Sequence, residues 1–116
     1  MEAIEVLGDG MRKISLNEIS RKIDTPWSPV DVAVFNDSVI RMSKLEGEFV
    51  WHKHTNSDEV FLVFEGEFIL QTKEENFDLK KMEGIVVPKG VLHCPKTDSS
   101  ATVLVFELKG TKKYGD

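Results

Sequence analysis

The run Val60-Phe61-Leu62-Val63-Phe64 is the strongest constraint on how this 116-residue chain can fold. On an extended chain successive side chains point to opposite faces, so a wholly apolar run is apolar on both sides and must be covered on both. It is far too short to span a bilayer. A sheet interior covers one face; a helix or a second copy of the chain has to cover the other. Weaker versions of the pattern recur from residue 30 onward. Strands are expected at 30–35, 39–45, 48–54, 59–65, 67–73, 77–80, 84–87, 92–94 and 101–108, with Asn36-Asp37, Glu46-Gly47 and Glu74-Glu75-Asn76 as turns. Gly66 reads as the tip of a hairpin between its two neighbouring strands. Many short strands at close spacing predict an all-β sandwich or barrel.

Ahead of the strands, Ser15-Leu16-Asn17-Glu18 has the form of a capping box. Leu16, Ile19 and Ile23 then share one face of a short helix, which Thr25-Pro26 ends. Trp27, between Pro26 and Pro29, is expected to pack on the domain as a lid or anchor. Residues 1–13, with a turn at Gly8-Asp9-Gly10, read as a loose extension or an added edge strand. The length fits one domain. A net charge of −5 argues against nucleic acid and anionic membranes as partners. The single cysteine, Cys94, permits no internal disulfide, and residues 1–6 lack the pattern of a signal peptide. Both features favour a cytoplasmic protein.

The chain has 3 histidines, and two of them, His52 and His54, precede the apolar run. At i and i+2 on a strand their rings share a face. Thr55-Asn56-Ser57-Asp58 is a turn-like set that can bring Glu59 back to that face. His93 follows the turn Pro88-Lys89-Gly90. Imidazoles with one carboxylate are a common donor set for first-row transition metals. Taken singly, the residues have blander readings. His-x-His can be two surface histidines, and Glu59 can be a weak surface partner of Lys53. Glu59 opens an apolar strand, however, and a buried carboxylate needs a metal or cation beside it.

His52-x-His54-x4-Glu59-x6-Gly66 resembles the first motif of the cupin superfamily, and Pro88-x-Gly90-x2-His93 resembles the core of the second. The resemblance spans roughly residues 30–108. The pattern departs at the glycines, with Gly47 one position late and Met82 where a glycine is expected, and at Thr97 in place of an asparagine. The resemblance implies a cupin jelly-roll (double-stranded β-helix) barrel over 30–108, with an extension at 1–29 and an exposed polar tail at 109–116. It also implies one divalent transition metal ion, of Mn, Fe, Co, Ni, Cu or Zn, held by His52, His54, Glu59 and His93. By strand parity Val50, Phe61 and Val63 line the pocket, and Glu48 is the nearest acid–base candidate. Trp51 and Cys94 face away from the histidines, Cys94 as a small buried hydrophobe.

Open coordination positions are the mark of a catalytic or ligand-binding ion. The resemblance therefore implies a metal-dependent enzyme acting on a small molecule, with dioxygenases and sugar-phosphate isomerases among relatives. Alternatives are a module that binds or senses a metal and a small ligand without turnover, and a domain that has lost its metal. An apolar wall favours a small organic ligand over a sugar phosphate, which would want Arg or Lys inside. Arg41 is the cation whose strand could aim it inward. The apolar outer surface, with Phe49, Trp51 and Trp27, predicts a homodimer.

Overall fold

The computed structural model describes residues 4–6 and 8–116. Strand β1 (Ile4–Val6) pairs antiparallel with β2 (Arg12–Ile14), so the two ends of the N-terminal segment form a small hairpin of their own. Helix α1 (Leu16–Lys22) follows, and then β3 (Val30–Phe35), β4 (Ser38–Glu48), β5 (Glu59–Thr72), β6 (Asn76–Lys80), β7 (Gly84–Val87) and β8 (His93–Leu108).

The fold is built on three long strands. β8 pairs with β4 on one side and with β5 on the other, and the sheet runs β3-β4-β8-β5-β6 with β7 also on β5. β5 pairs with β8 from Val60 opposite Phe106 to Thr72 opposite His93. A straight strand of that length would separate its ends by about 40 Å. Yet His93, at the far end of the ribbon, brings its imidazole within 3.2 Å of Glu59, at the near end. The ribbon is therefore folded back on itself. The bends fall where the register shifts, between Val63 and Glu65 and between Gly66 and Ile69, as bulges bend a strand and increase its twist. Gly66 is thus no hairpin tip. It is the bend of a continuous strand, at φ 76° and packed so closely on Ser100 that a Cβ would meet that residue's carbonyl oxygen. Likewise, the expected strands 92–94 and 101–108 are one strand.

The folded-back sheet makes a β-sandwich of jelly-roll type. The expected barrel does not close: β3 has only β4 beside it among the described residues. Leu45, Phe61, Val63, Phe68, Leu70 and Val103 form the main core between the layers.

Helix α1 covers part of the outside. Ser15 caps it by accepting from the Glu18 amide. The reciprocal half of the box is absent, because the buried Glu18 Oε2 has no hydrogen-bond partner. Ile19 and Ile23 pack on Val32 and Met42, with Phe64 and Leu104 beside them. The remaining outer face stays open, with Leu62 and Val86 37% and 60% exposed. Met82, where the motif has glycine, takes a left-handed φ of 70° in the exposed turn between β6 and β7.

The bend at Gly66 is open to a direct test. Gly66→Ala has to accommodate a left-handed φ and a backbone clash, and should lower stability by about 2 kcal/mol or more. Gly47→Ala, at φ 71° with open space around it, should cost only the conformational strain of about 1 kcal/mol. Urea denaturation of the two variants separates the terms.

Candidate metal centre

The stretch that carries two of the candidate ligands belongs to no strand. β4 ends at Glu48, and the chain then runs irregularly to Glu59. It is held by single bonds. The Phe49 amide donates to the Pro95 carbonyl, His52 and His93 exchange backbone hydrogen bonds as an isolated bridge, and the Gly90 amide donates to the His54 carbonyl. The remaining two ligands sit on the sheet, Glu59 as the first residue of β5 and His93 as the first of β8.

All four side chains are buried, and they converge: one ligand atom from each of His52, His54, Glu59 and His93 lies within 4.8 Å of every other. Donors around a single ion with bonds of about 2.1 Å sit roughly 3 to 4 Å apart, so the group has the dimensions of one metal site. The protonation pattern fits as well. His52 Nδ1 lies 2.9 Å from the Val50 carbonyl oxygen and His93 Nδ1 lies 2.8 Å from that of Val91. In each case a histidine donates to the carbonyl two residues back, which leaves Nε2 as a bare lone pair. His93 Nε2 then faces Glu59 Oε1 at 3.2 Å, a contact that needs a proton or a cation between the two atoms. His54 Nε2 lies 3.5 Å from Glu59 Oε2, and neither of its ring nitrogens has a hydrogen-bond partner. Buried lone pairs turned toward one another are costly unless a cation sits among them.

The electrostatics lean the same way. Burial opposes ionisation of Glu59, but His54, His93 and Glu107 together hold its carboxyl well below the usual range. The Glu59 carboxylate raises the pKa of His54. Burial lowers that of His52, against the opposing pull of the Val50 carbonyl.

A cavity of about 70 Å³ opens beside this group, with His52, Glu59 and Phe61 in its wall. The other two residues expected there lie elsewhere. Val50 is 45% exposed, because the strand parity that would turn it inward stops at Glu48, and Val63 is sealed in the core. Glu48 accepts from the Gln71 amide on the surface. Cys94 is fully buried.

Two features of the site were not anticipated, the carboxyl of Glu107 and the anchoring of the tail, and one expectation is met at Arg41. Glu107 lines the cavity, one register step beyond the Val60–Phe106 pair and hence beside Glu59. Burial and the neighbouring Glu59 push its carboxyl up to about 8. Its alternation with buried Val103 and Val105 was the available signal. Arg41 does reach inward, as its strand allowed, donating to Glu107 Oε1 at 2.9 Å and to Asp31. Finally, the tail is not a free polar end. Arg41 donates to the Thr111 carbonyl, Asp116 accepts from the Thr55 amide and hydroxyl, and the Asp116 amide donates to the Lys53 carbonyl. Tyr114 stacks on Phe49 at 5.4 Å, Phe49 stacks on Trp27 at 4.7 Å, and Phe49 meets His52 edge-on. Trp27 is fixed by its indole, which donates to the Glu46 carbonyl.

The Glu59–Glu107 pair gives a pH signature in protein stripped of metal. A carboxyl raised to about 8 contributes stability that is complete below its unfolded pKa and is lost as pH rises through 8. Glu107→Gln keeps a donor toward Glu59 and cannot ionise. Melting curves should place the variant closest to wild type below pH 5 and progressively above it from pH 5 to 8, with the difference levelling off beyond. A constant difference across that range would remove the shared proton.

The family profile described as the Cupin domain matches residues 39–108. An uncharacterised protein of Bacillus subtilis, YdbB, is 32% identical over 96 residues, 82% of this chain and 85% of the relative. The crystal structure of a cupin-2 domain protein from Shewanella frigidimarina superposes with a TM-score of 0.81 at 36% identity, covering 83% of this chain and 94% of that one. Two more distant structures share the fold alone. One is the hydroquinone 1,2-dioxygenase PnpCD, at TM-score 0.68, 17% identity and coverage of 80% and 70%. The other is a sugar phosphate isomerase of Silicibacter pomeroyi, at TM-score 0.57, 22% identity and coverage of 65% and 52%. With both histidine motifs converging in a jelly-roll sandwich and the family profile covering most of the sheet, this chain belongs to the cupin family.

Proposed function

We propose that the protein is a metal-dependent cupin enzyme acting on a small organic molecule, with one divalent ion of Mn, Fe, Co, Ni, Cu or Zn held by His52, His54, Glu59 and His93. The observation that carries this reading is the convergence of the four ligand atoms within 4.8 Å, with His52 and His93 locked through Nδ1 to backbone carbonyls and His93 Nε2 turned to Glu59. An ion bound there supplies Lewis-acid polarisation of substrate oxygens, and electron transfer if it is redox-active. Phe61, Phe49 and Trp27 exclude water and pack the apolar part of the substrate. Arg41 orients Glu107, and Glu107 is the cavity carboxyl outside the ligand group that is placed to carry a proton.

Two alternatives rest on observations of their own. The small cavity suits a module that binds or senses a metal with a small ligand. The cations Arg41, Lys112 and Lys113 in its wall suit phosphosugar isomerisation better than an apolar wall would. The dioxygenase and isomerase named above are fold relatives of each enzymatic reading. The single buried thiol suits a cytoplasmic setting.

We also propose a homodimer. Cross-strand pairing sets Ile40, Phe106, Val60 and Val86 in one row across the outer face. Helix α1 covers the Ile40 end, and the Val86 end is bare. A second copy covers that half. Light scattering at micromolar concentration should give twice the chain mass, and a monomer mass would exclude the pairing.

Elemental analysis of untagged protein should find about one transition metal per chain. His54→Ala and His93→Ala should each weaken metal binding by about tenfold or more and lower the melting temperature. Full occupancy in both variants would refute the assignment. Oxygen uptake by Fe-, Mn- and Cu-loaded protein with phenolic and diketone compounds, beside an isomerase assay with hexose phosphates, decides among the reactions. Turnover in the second alone reverses the order of the two enzymatic readings, and no turnover in either with a co-purifying ligand favours the binding module.

A further inference from the structure

The C-terminal segment 111–116 lies across the opening of the metal centre. Thr111 is tied to Arg41, whose other bond reaches Glu107 inside the cavity. Lys112 and Lys113 form part of the cavity wall. Tyr114 is stacked on Phe49. Gly115 takes a φ of 83° and rides so closely on the ligand stretch that a Cβ would overlap the Lys53 carbonyl oxygen and crowd the His52 side chain at 3.1 Å. Asp116 closes the segment by its bonds to Lys53 and Thr55.

The charges left unpaired along the cavity wall have one sign. The Glu59 carboxylate is directed at the histidines, and the Glu107 carboxyl accepts from Arg41. The Asp116 carboxylate, whose charge reaches Lys112, is taken up by Thr55. Neither Lys112 nor Lys113 is within salt-bridge distance of an acid among the described residues. The Lys113 ammonium stands 6.0 Å from the Phe49 ring centre and 5.1 Å from that of Tyr114, at the aromatic edge of the opening. With this segment seated, the cavity of about 70 Å³ holds about five water-sized units, since one water needs roughly 10–15 Å³.

We propose that residues 111–116 are the fourth wall of the ligand site and select a small oxyanion, a carboxylate of about five non-hydrogen atoms. Lys112 and Lys113 meet its charge, and Tyr114 and Asp116, through Phe49 and Thr55, hold the segment seated so that the cavity stays small. The inference rests on the metal reading of His52, His54, Glu59 and His93, because His52 and Glu59 of that group line the same cavity. Charge-assisted contacts to a carboxylate are stronger than neutral ones, so charge and size can be read separately.

The test uses full-length protein loaded with cobalt(II), its metal content measured first. Binding is followed by calorimetry and by the visible absorption of cobalt. The probes are glycolate, its neutral amide glycolamide, and mandelate, which is glycolate enlarged by a phenyl ring. Wild type should bind glycolate about tenfold more tightly than either of the others. Lys112→Gln with Lys113→Gln should leave the cobalt content unchanged and reduce the preference for glycolate over glycolamide to about threefold or less. Tyr114→Ala with Asp116→Ala should narrow the gap between mandelate and glycolate with cobalt still bound. Full cobalt content with a glycolate preference untouched by the lysine substitutions overturns this inference and leaves the metal reading standing, as does mandelate binding as well as glycolate to wild type. Wild-type protein that takes up no cobalt overturns both.

Discussion

The pairing of β5 with β8 is the constraint on which the rest depends. It runs the full length of both strands, and its bends at Glu65 and Gly66 return the ribbon to its own start. Only because of that return can Glu59 and His93 meet, since they stand at opposite ends of the ladder. The sandwich core, with Phe61, Val63, Phe68 and Leu70 facing Val103 and Ala101, is the inside of the same bend. A fold of this kind is dominated by contacts remote in sequence, so the site is assembled only when the ribbon is complete.

The second half of the centre is made differently. The His52 and His54 stretch has no ladder, and its geometry comes from isolated hydrogen bonds, an aromatic stack and the chain's own C-terminal residues. A rigid pair of donors on the sheet is thus matched with a pair on a softer segment. The Nδ1 bonds of His52 and His93 to carbonyls two residues back give both halves the same ring orientation in spite of this difference. Such local bonds fix a tautomer without needing a distant partner.

Much of the architecture was legible in residue pattern. β3 and β7 fall where alternation and turn residues put them, the helix begins at its serine cap, and the histidine motifs mark the four residues that converge. What pattern does not encode is whether a glycine ends a strand or bends it. Gly66 has the positive φ of a turn, yet the strand passes through, because the decisive fact is a Ser100 carbonyl remote in sequence. Met82 shows the reverse, an exposed side chain tolerated in a left-handed turn where glycine would sit without strain. Parity failed for Val50 because it presumes a strand that is not there. It would have succeeded for Glu107, which alternates with Val103 and Val105 but lies in no motif. The tail is as exposed as its polar composition implies, but composition says nothing of backbone bonds such as those of Thr111 and Asp116.

The irregular backbone between Glu48 and Glu59 has a consequence for how the molecule breathes. Amides locked between β5, β8 and β4 can meet solvent only when the sheet itself comes apart. Those of the histidine stretch need only the loss of a few single bonds, so they belong to a separate unit of lower stability. The C-terminal residues, bonded to Lys53 and Thr55 of that stretch, lean on the same unit, so their amides should exchange with it rather than with the sheet.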